Sequence, residues 1–376
     1  MTVYWFILVW TVIMAIVSKI TSKSVLVGEN LYEERSNYLV AILTFAVIIV
    51  FVGLRSGVLD TSVYISSFEN YPDDFSNDVY DLVFRDGERA PGFVLFTLIM
   101  KCFISTDYHV WLFTIAFISS ICVMYTIKKY SCNFGISAYL FIASCQFTWL
   151  LNGIRQFLVA AILFACTFFI LKKRPIPYII IVLILSSFHT SALIMIPAYF
   201  IVESEPWSKK TMLFIGIIVL AMLFTSQFTS ILDTVVENSD YASSMHEFKD
   251  TDDGTSVIRI LVESIPIILA FIYRKKIKDK LTPIIKISIN MSLISSGLYI
   301  ISKVAKSGIM LGRLPIYFSL YNLILLPWLL NNIFEKKEKR LVYYTMIICY
   351  LGFFYFQMCV AWGGLEYVSD VLNLRY

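Results

Sequence analysis

Residues 38–54 read YLVAILTFAVIIVFVGL, a run of seventeen residues without one charged side chain. A run of this kind is typical of a membrane-spanning helix, which needs about 20 predominantly apolar residues. The whole chain has the same character, since 58% of its 376 residues are hydrophobic and only 15% are charged. Soluble domains carry about 25% charged residues. The sequence therefore predicts an all-α polytopic membrane protein.

Eleven more apolar runs bring the predicted number of segments to about twelve, and we interpret residues 1–376 as one integral membrane domain. The other runs are Val3–Ile20, Gly92–Ser105, His109–Ile127, Phe134–Leu151, Gly153–Leu171, Pro177–Ile201, Met212–Phe228, Val257–Tyr273, Pro283–Val304, Leu314–Phe334 and Leu341–Ala361. Two of these runs are unusual. Gly92–Ser105 is short and contains Lys101, and Pro177–Ile201 is interrupted by the sequence FHTS at residues 188–191. We interpret both as bent or re-entrant, with Lys101 expected to snorkel to the interface.

Charged residues divide the connections between these runs into two kinds. The loops 57–90 and 229–256 are acidic and poor in lysine. Basic residues concentrate in four short connections, at 128–129, 172–174, 274–280 and 336–340. Because lysine and arginine favour the cytoplasmic side, the four basic connections are predicted to lie inside. With the two unusual runs bent, both acidic loops then fall outside, together with residues 152–155 and 312–313.

Composition and motifs exclude several classes of function. A net charge of +4 is too small for a nucleic-acid-binding surface. The seven cysteines have no metal-ligand spacing and are interpreted as free thiols. The chain has no Gly-rich P-loop, no zinc motif and no cluster of carboxylates suited to a metal. We therefore expect no cofactor, no metal and no ATP hydrolysis by this chain.

Three arginines and one histidine stand out against the apolar background. Arg55, Arg155 and Arg313 each lie where an apolar run begins or ends on the predicted outer side, and His189 interrupts a run. A charge in the bilayer core costs about 2.5–3.5 kcal/mol, so such residues usually line a cavity. Arginine binds phosphate in a bidentate manner. An outer cavity for a phosphate-bearing lipid is one interpretation, and interface anchors with a hydrogen-bonded core histidine are the other. His109 is expected to be an ordinary interface residue.

Several motifs in the first half of the chain resemble a known family. They are GLRSG at 53–57 followed by Asp60 and Tyr64, ERAPGF at 88–93, NGIRQ at 152–156 and FHTSAL at 188–193. In this order and spacing they resemble EpsG-like proteins, which are similar to the Wzy-type polysaccharide polymerases of bacteria. The resemblance covers about residues 51–201, and beyond it only Arg313 with Tyr317 matches the family's late arginine.

The resemblance implies a fold, a reaction and a location. The expected fold is a GT-C-like multi-helix architecture in the bacterial cytoplasmic membrane. The expected activity is polymerisation of polyprenyl-pyrophosphate-linked oligosaccharide repeat units at the outer face, giving exopolysaccharide, capsule or O-antigen. Donor and acceptor are both lipid-linked, and the bilayer, a chain-length regulator and a flippase of the same pathway are expected partners.

The resemblance and the polar residues together give each candidate a role. The leaving pyrophosphate needs preorganised positive charge, which we assign to Arg55, Arg155 and Arg313. The acceptor hydroxyl needs a base, for which His189 is the first choice, Asp60 the second and Glu88 the third. Candidate substrate-binding residues are Tyr64, Asn152, Gln156 and Tyr317. No metal is required, because arginines supply the charge.

Two other functions remain open on the sequence alone. A flippase or transporter of lipid-linked oligosaccharides would also carry charges in a cavity, although no internal repeat typical of transporters is evident. A membrane O-acyltransferase acting on the glycan would need an acyl donor from the cytoplasm, and His189 is predicted to face outside.

Overall fold

The computed structural model describes residues 1–26, 32–75, 82–84, 90–224, 255–308 and 311–375. With 76% of the residues helical, the fold is all-α. The helices are α1 Thr2–Ile20, α2 Tyr38–Gly53, α3 Thr61–Asn70, α4 Pro91–Ile99, α5 Tyr108–Tyr130, α6 Phe134–Ala143, α7 Ile154–Ala165, α8 Thr167–Leu171, α9 Pro175–Ser186, α10 Met195–Val202, α11 Lys209–Leu223, α12 Val257–Ile272, α13 Arg274–Ile277, α14 Pro283–Val304, α15 Ile316–Ser319, α16 Asn322–Ile333 and α17 Lys336–Phe356. Two antiparallel hairpins pair β1 Lys23–Leu26 with β2 Tyr32–Arg35, and β3 Val368–Ser369 with β4 Leu374–Arg375.

Five helices of the described chain are long and apolar enough to cross a membrane. They are Thr2–Ile20, Tyr108–Tyr130, Ile154–Leu171, Pro283–Val304 and Lys337–Ala361. The prediction of an all-α membrane protein is confirmed at this level. The number of about twelve segments stays a prediction, because several of the remaining apolar helices are short. The predicted outer loop 229–256 lies almost wholly outside the described residues.

The two runs predicted to be unusual are indeed irregular. The run ending near 201 is broken after α9, and it resumes as a 3-10 turn at Thr190–Ile194 before α10. The nine residues of α4 continue into a π-helical turn of five, Met100–Ile104. Together these span about 21 Å, less than the roughly 30 Å of a hydrocarbon core. Both features favour bent or re-entrant segments.

One of the predicted spans does not form a single continuous helix. The run Phe134–Leu151 forms α6 and then a 3-10 turn at Gln146–Leu150. Cys145 between them has a left-handed backbone, with φ of 61°. A non-glycine residue in that region ends an α-helix, and apolar composition alone carries no signal of it.

Contacts divide the chain into two compact units, Met1–Leu193 with Phe334–Tyr376, and Ile194–Ile333. In the first unit α5 packs against α2 and α7, and α1 packs against α2 and α6. Side-chain caps fix where these helices begin. Asn37 accepts from the backbone of Leu39 at 3.0 Å before α2, and Asn133 accepts from Ile136 at 3.1 Å before α6. Asn and Asp at this position satisfy backbone donors that the helix leaves open.

The second unit is organised around α14, against which α11, α12 and α16 pack. Buried Asn290 on α14 donates to the carbonyls of Val202 at 3.2 Å and Ser204 at 2.7 Å. It thereby satisfies the open end of α10. Buried Glu263 on α12 accepts from the Asn322 amide at 3.0 Å. Paired polar groups of this kind are how a membrane helix tolerates a carboxylate in its interior.

Candidate active site

An aromatic cluster in the first unit forms the base of the candidate site. The Phe68 ring stacks on Trp111 with centroids 5.2 Å apart, and Phe93 meets Trp111 edge-on at 5.9 Å. These side chains come from α3, α4 and α5. Ile154 and Leu158 of α7 belong to the same buried cluster. The cluster therefore fixes the start of α7 against three other helices.

Arg155 lies above this cluster, in the first turn of α7. Gly153 precedes the helix with a φ of 76°, a conformation that glycine adopts without strain. The guanidinium carbon of Arg155 lies 6.0 Å from the centre of the Tyr64 ring and 5.7 Å from that of Phe93. Its Nε is buried and has no hydrogen-bond partner among the described residues. A guanidinium held over aromatic faces, at the positive end of a helix, is suited to a phosphate.

His189 is joined to the same helix by a short chain of hydrogen bonds. The Gln156 side-chain amide donates to the Ser191 hydroxyl at 3.0 Å, and that hydroxyl lies 2.7 Å from Nδ1 of His189. A serine hydroxyl donates one hydrogen bond and accepts two, so Nδ1 of His189 is an acceptor in one tautomer and a donor in the other. The role of His189 as the base stays a prediction.

The break that carries His189 is held by close contact with the start of α4. The backbone of Gly92 donates to the carbonyl of Ser187 at 2.9 Å. A Cβ at Gly92 would lie 2.1 Å from Oγ of Ser187 and 2.9 Å from the ring of Phe188. Phe188 in turn contacts Phe93, with ring centroids 6.3 Å apart. Any larger residue at this position would force the side chains of Ser187 and Phe188 to move, and the contact fixes the backbone next to His189.

Arg55 is the most enclosed of the predicted pyrophosphate ligands, with 1% of its surface exposed. Its Nε donates to Oγ1 of Thr61 at 2.8 Å, and Nη1 donates to the carbonyl of Val52. Burial lowers the pKa of Arg55 to about 10, so it stays charged at neutral pH. Its described hydrogen bonds join the end of α2 to the start of α3. A direct contact between Arg55 and pyrophosphate stays a prediction.

Asp60 directly precedes α3 and is half-buried, and its side chain makes no capping hydrogen bond. Tyr64 follows one turn later and lies beneath Arg155. The first unit therefore brings Tyr64, Arg155, Gln156 and His189 to one place, with Asn152 just before the start of α7.

Two further predicted residues belong to the second unit, and a third is outside the described residues. Glu88 falls outside the described residues, so its position is not part of the structure. Arg313 and Tyr317 belong to the second unit, in the turn before α15 and within it. Tyr317 is 2% exposed, which does not favour a direct contact with substrate. The prediction that Arg313 joins Arg155 around one substrate stays a prediction.

Lys101 was expected at the interface, and that expectation is wrong. The side chain is 5% exposed, and its ammonium donates to the carbonyls of Phe68 at 3.0 Å, Glu69 at 3.0 Å and Tyr71 at 2.5 Å. It also lies 3.1 Å from the exposed carboxylate of Asp73. A cation at the carbonyl end of a helix is stabilising. Lys101 thus fixes α3, and with it Tyr64, against α4.

Comparison with known proteins identifies the family. The family model described as the EpsG family matches residues 38–368, which is most of the chain. No curated protein and no solved structure matches the chain. The match includes each motif that carried the resemblance, as well as Arg313 and Tyr317. The chain belongs to the EpsG family of EpsG-like polysaccharide polymerases.

Proposed function

We propose that this protein polymerises oligosaccharide repeat units carried on polyprenyl pyrophosphate, at the outer face of the bacterial cytoplasmic membrane. The growing glycan leaves its lipid pyrophosphate and is joined to a sugar hydroxyl of the next lipid-linked unit. Family membership supports polysaccharide polymerisation. The position of Arg155 supports the assignment of a pyrophosphate-linked substrate. Its guanidinium is held over Tyr64 and Phe93 at the start of α7, next to the hydrogen bonds that lead to His189.

In this reaction negative charge develops on the departing pyrophosphate. A fixed donor aimed at such charge contributes about 2.7–4 kcal/mol to the barrier, or about 10²–10³ in rate. Arg155 supplies two or more N–H groups for this charge. Arg55 and Arg313 are further candidates for the same charge. His189, Asp60 and Glu88, in that order, are the candidates that the sequence offers for the base, and no step requires a metal.

The proposed architecture extends the same interpretation. About twelve membrane segments, of which 92–105 and 177–201 are re-entrant or bent, form a GT-C-like multi-helix domain with the acidic loops outside. The lipid-linked donor and acceptor reach the site from the bilayer. A flippase and a chain-length regulator are the expected partner proteins. The final glycan is an exopolysaccharide, a capsule or an O-antigen.

Replacing one arginine tests the central assignment. Arg155→Ala is expected to lower polymer formation by about 10²–10³ and to leave single repeat units on lipid, while the protein level holds. Arg155→Lys keeps the charge and loses bidentate binding, so an intermediate loss is expected. Arg174→Ala is the matched control, because Arg174 is exposed in a basic connection away from the site. Normal polymer length in Arg155→Ala cells would refute the assignment.

The two alternatives predict a different place for the accumulating substrate. Without a flippase, lipid-linked units collect on the cytoplasmic side; without a polymerase, they collect outside and stay unpolymerised. Without an O-acyltransferase, polymer of normal length lacks acyl groups. Locating the units in cells that lack the protein therefore separates all three functions.

A further inference from the structure

Three residues outside the site described above form a chain of polar contacts with the geometry of a proton relay. Oδ1 of Asp107 lies 2.9 Å from Nδ1 of His109, and Nε2 of His109 lies 3.3 Å from Oγ of Ser56. Asp107 and His109 are at the start of α5, whereas Ser56 is in the turn between α2 and α3, 53 residues earlier. The fold, not the local sequence, brings them together.

The Asp107 carboxylate fixes the protonation of the His109 ring. Oδ1 accepts from the backbone of His109 at 2.8 Å, which caps α5, and it also accepts from the ring nitrogen. An ionised carboxylate has no hydrogen to donate. Nδ1 must therefore carry a proton, and in the neutral ring the lone pair of Nε2 is on the side of Ser56. His109 is thus arranged as a base.

The Ser56 hydroxyl is directed by its other contact. Its oxygen accepts from the backbone N–H of Asp370 at 3.0 Å, so its own hydrogen is available for Nε2 of His109. The C-terminal segment holds this turn closely, because the backbones of Ser56 and Gly57 both donate to the carbonyl of Val368. A hydroxyl oxygen accepts two hydrogen bonds. Within the described parts of the chain, one acceptor position on Ser56 therefore remains for a substrate hydroxyl.

The relay adjoins the candidate active site through packed residues of the same unit. Arg55, next to Ser56, donates to Thr61 at the start of α3, and Tyr64 of that helix lies under Arg155. Tyr108, next to His109, packs against the aromatic cluster that also supports Arg155. The His109 side chain is 15% exposed and that of Asp107 is 56% exposed. The relay and Arg155 are thus linked through α3 and the aromatic cluster, and the relay is partly open to solvent.

We propose that His109, positioned by Asp107 and acting through Ser56, is the base that accepts the acceptor sugar's proton; this rests on the proposed glycosyl transfer. The acceptor oxygen forms a bond to the anomeric carbon as the bond from that carbon to the pyrophosphate oxygen breaks. The acceptor's proton passes to Ser56 as the proton of Ser56 passes to Nε2 of His109. The bonding pair of the broken bond leaves with the pyrophosphate, and the carboxylate of Asp107 stabilises the imidazolium.

The test uses purified full-length protein in detergent and the lipid-linked repeat unit that accumulates in cells lacking the protein. His109→Gln is expected to lower kcat by about 10²–10³ with KM changed less than about threefold, since a general base contributes about 10²–10⁴ in rate. The limb of the pH–rate profile that depends on a base should vanish as well. Asp107→Asn, which keeps the helix cap, should lower kcat in the same direction.

Matched variants separate a relay from a structural contact. Ser105→Ala removes a turn hydrogen bond to the backbone of Asp107 and leaves the relay intact, so kcat should stay within about threefold of wild type. Ser56→Ala should lower kcat by about tenfold or more. If His109→Gln and Ser56→Ala behave like Ser105→Ala, the contacts only hold the turn in place and the relay is refuted.

Chemical rescue decides the case in which a variant folds poorly. Added imidazole should restore turnover to His109→Ala, because it replaces the missing base, and an absence of rescue overturns the relay. If wild-type protein forms no polymer from the same substrate, the proposed function itself fails and the relay falls with it. If wild type polymerises and His109→Gln equals it, only the relay fails.

Discussion

One added methyl group at Gly92 should impair catalysis without removing any polar side chain. In Gly92→Ala the new Cβ would lie 2.1 Å from Oγ of Ser187, and 2.9 and 3.0 Å from two ring carbons of Phe188. Carbon atoms pack favourably from about 3.5 Å. The Phe188 ring must therefore retreat by about 0.5 Å, and the Ser187 hydroxyl must turn away from the Ile184 carbonyl to which it donates.

These changes have a modest effect on stability and a larger one on activity. A lost hydrogen bond costs about 0.5–1.5 kcal/mol, and overpacking costs about 1–3 kcal/mol. The unfolded chain of the alanine variant has less conformational entropy to lose on folding, and this offsets about 0.4–1 kcal/mol of the destabilisation. The protein should thus remain folded. A misplacement of about 1 Å can lower rate by about 10², so moving the backbone beside His189 should lower turnover by about 10- to 100-fold.

The assay is the length distribution of glycan made by purified variants from lipid-linked repeat units, with thermal unfolding measured on the same samples. Gly216→Ala on α11 is the matched control, because a Cβ there meets nothing within 4 Å. It should leave turnover within about twofold of wild type. Gly92→Ala with wild-type turnover, or a Gly216→Ala variant that is equally impaired, would show that the contact at Gly92 does not position His189.

Three further outcomes are expected. Lys101→Met leaves three carbonyls at the end of α3 without their donor, so it should destabilise the protein by about 1–3 kcal/mol in thermal or denaturant unfolding; an unchanged midpoint would contradict that role. Asn322→Leu removes a donor from buried Glu263 and should cost about 1–3 kcal/mol in the same assay. In a cysteine-free background, Lys129→Cys should react with an impermeant thiol reagent only from the cytoplasmic side, and reaction only from outside would contradict the topology.

The residues of the site that sequence alone identified share one property. Arg155, Gln156 and His189 are polar residues within apolar runs, and such residues usually have a function in a membrane protein. The interruption near His189 was predictable for the same reason, because the polar sequence 188–191 breaks an apolar run. Composition and charge likewise sufficed to predict that the chain is an all-α membrane protein.

What could not be predicted depends on contacts between distant parts of the chain. Lys101 binds carbonyls about thirty residues earlier, and no local pattern distinguishes that from a snorkelling lysine. His109 begins an apolar run, which is where interface residues are expected. Its one local signal is Asp107, since an aspartate two residues before a histidine at a helix start can both cap the helix and hold the ring. The contact of Ser56 with His109 can be recognised only in the folded chain.

The protonation of His189 shows the same limit at the level of single atoms. An unperturbed histidine is suited to general-base work near neutral pH, which made His189 the first choice from sequence. Its Nδ1 lies 2.7 Å from the hydroxyl of Ser191, which can donate or accept, whereas Nδ1 of His109 faces a carboxylate that only accepts. The role of a histidine therefore depends on neighbours that the sequence alone does not identify.

The most direct test is reconstitution of the purified full chain with lipid-linked repeat units, without nucleotide and without any other protein. We expect a ladder of lengthening glycan on lipid and release of one polyprenyl pyrophosphate for each unit joined, with both lost in Arg155→Ala and retained in Arg174→Ala. Repeat units that stay single with the wild-type protein, or a ladder of equal yield from Arg155→Ala, would contradict it.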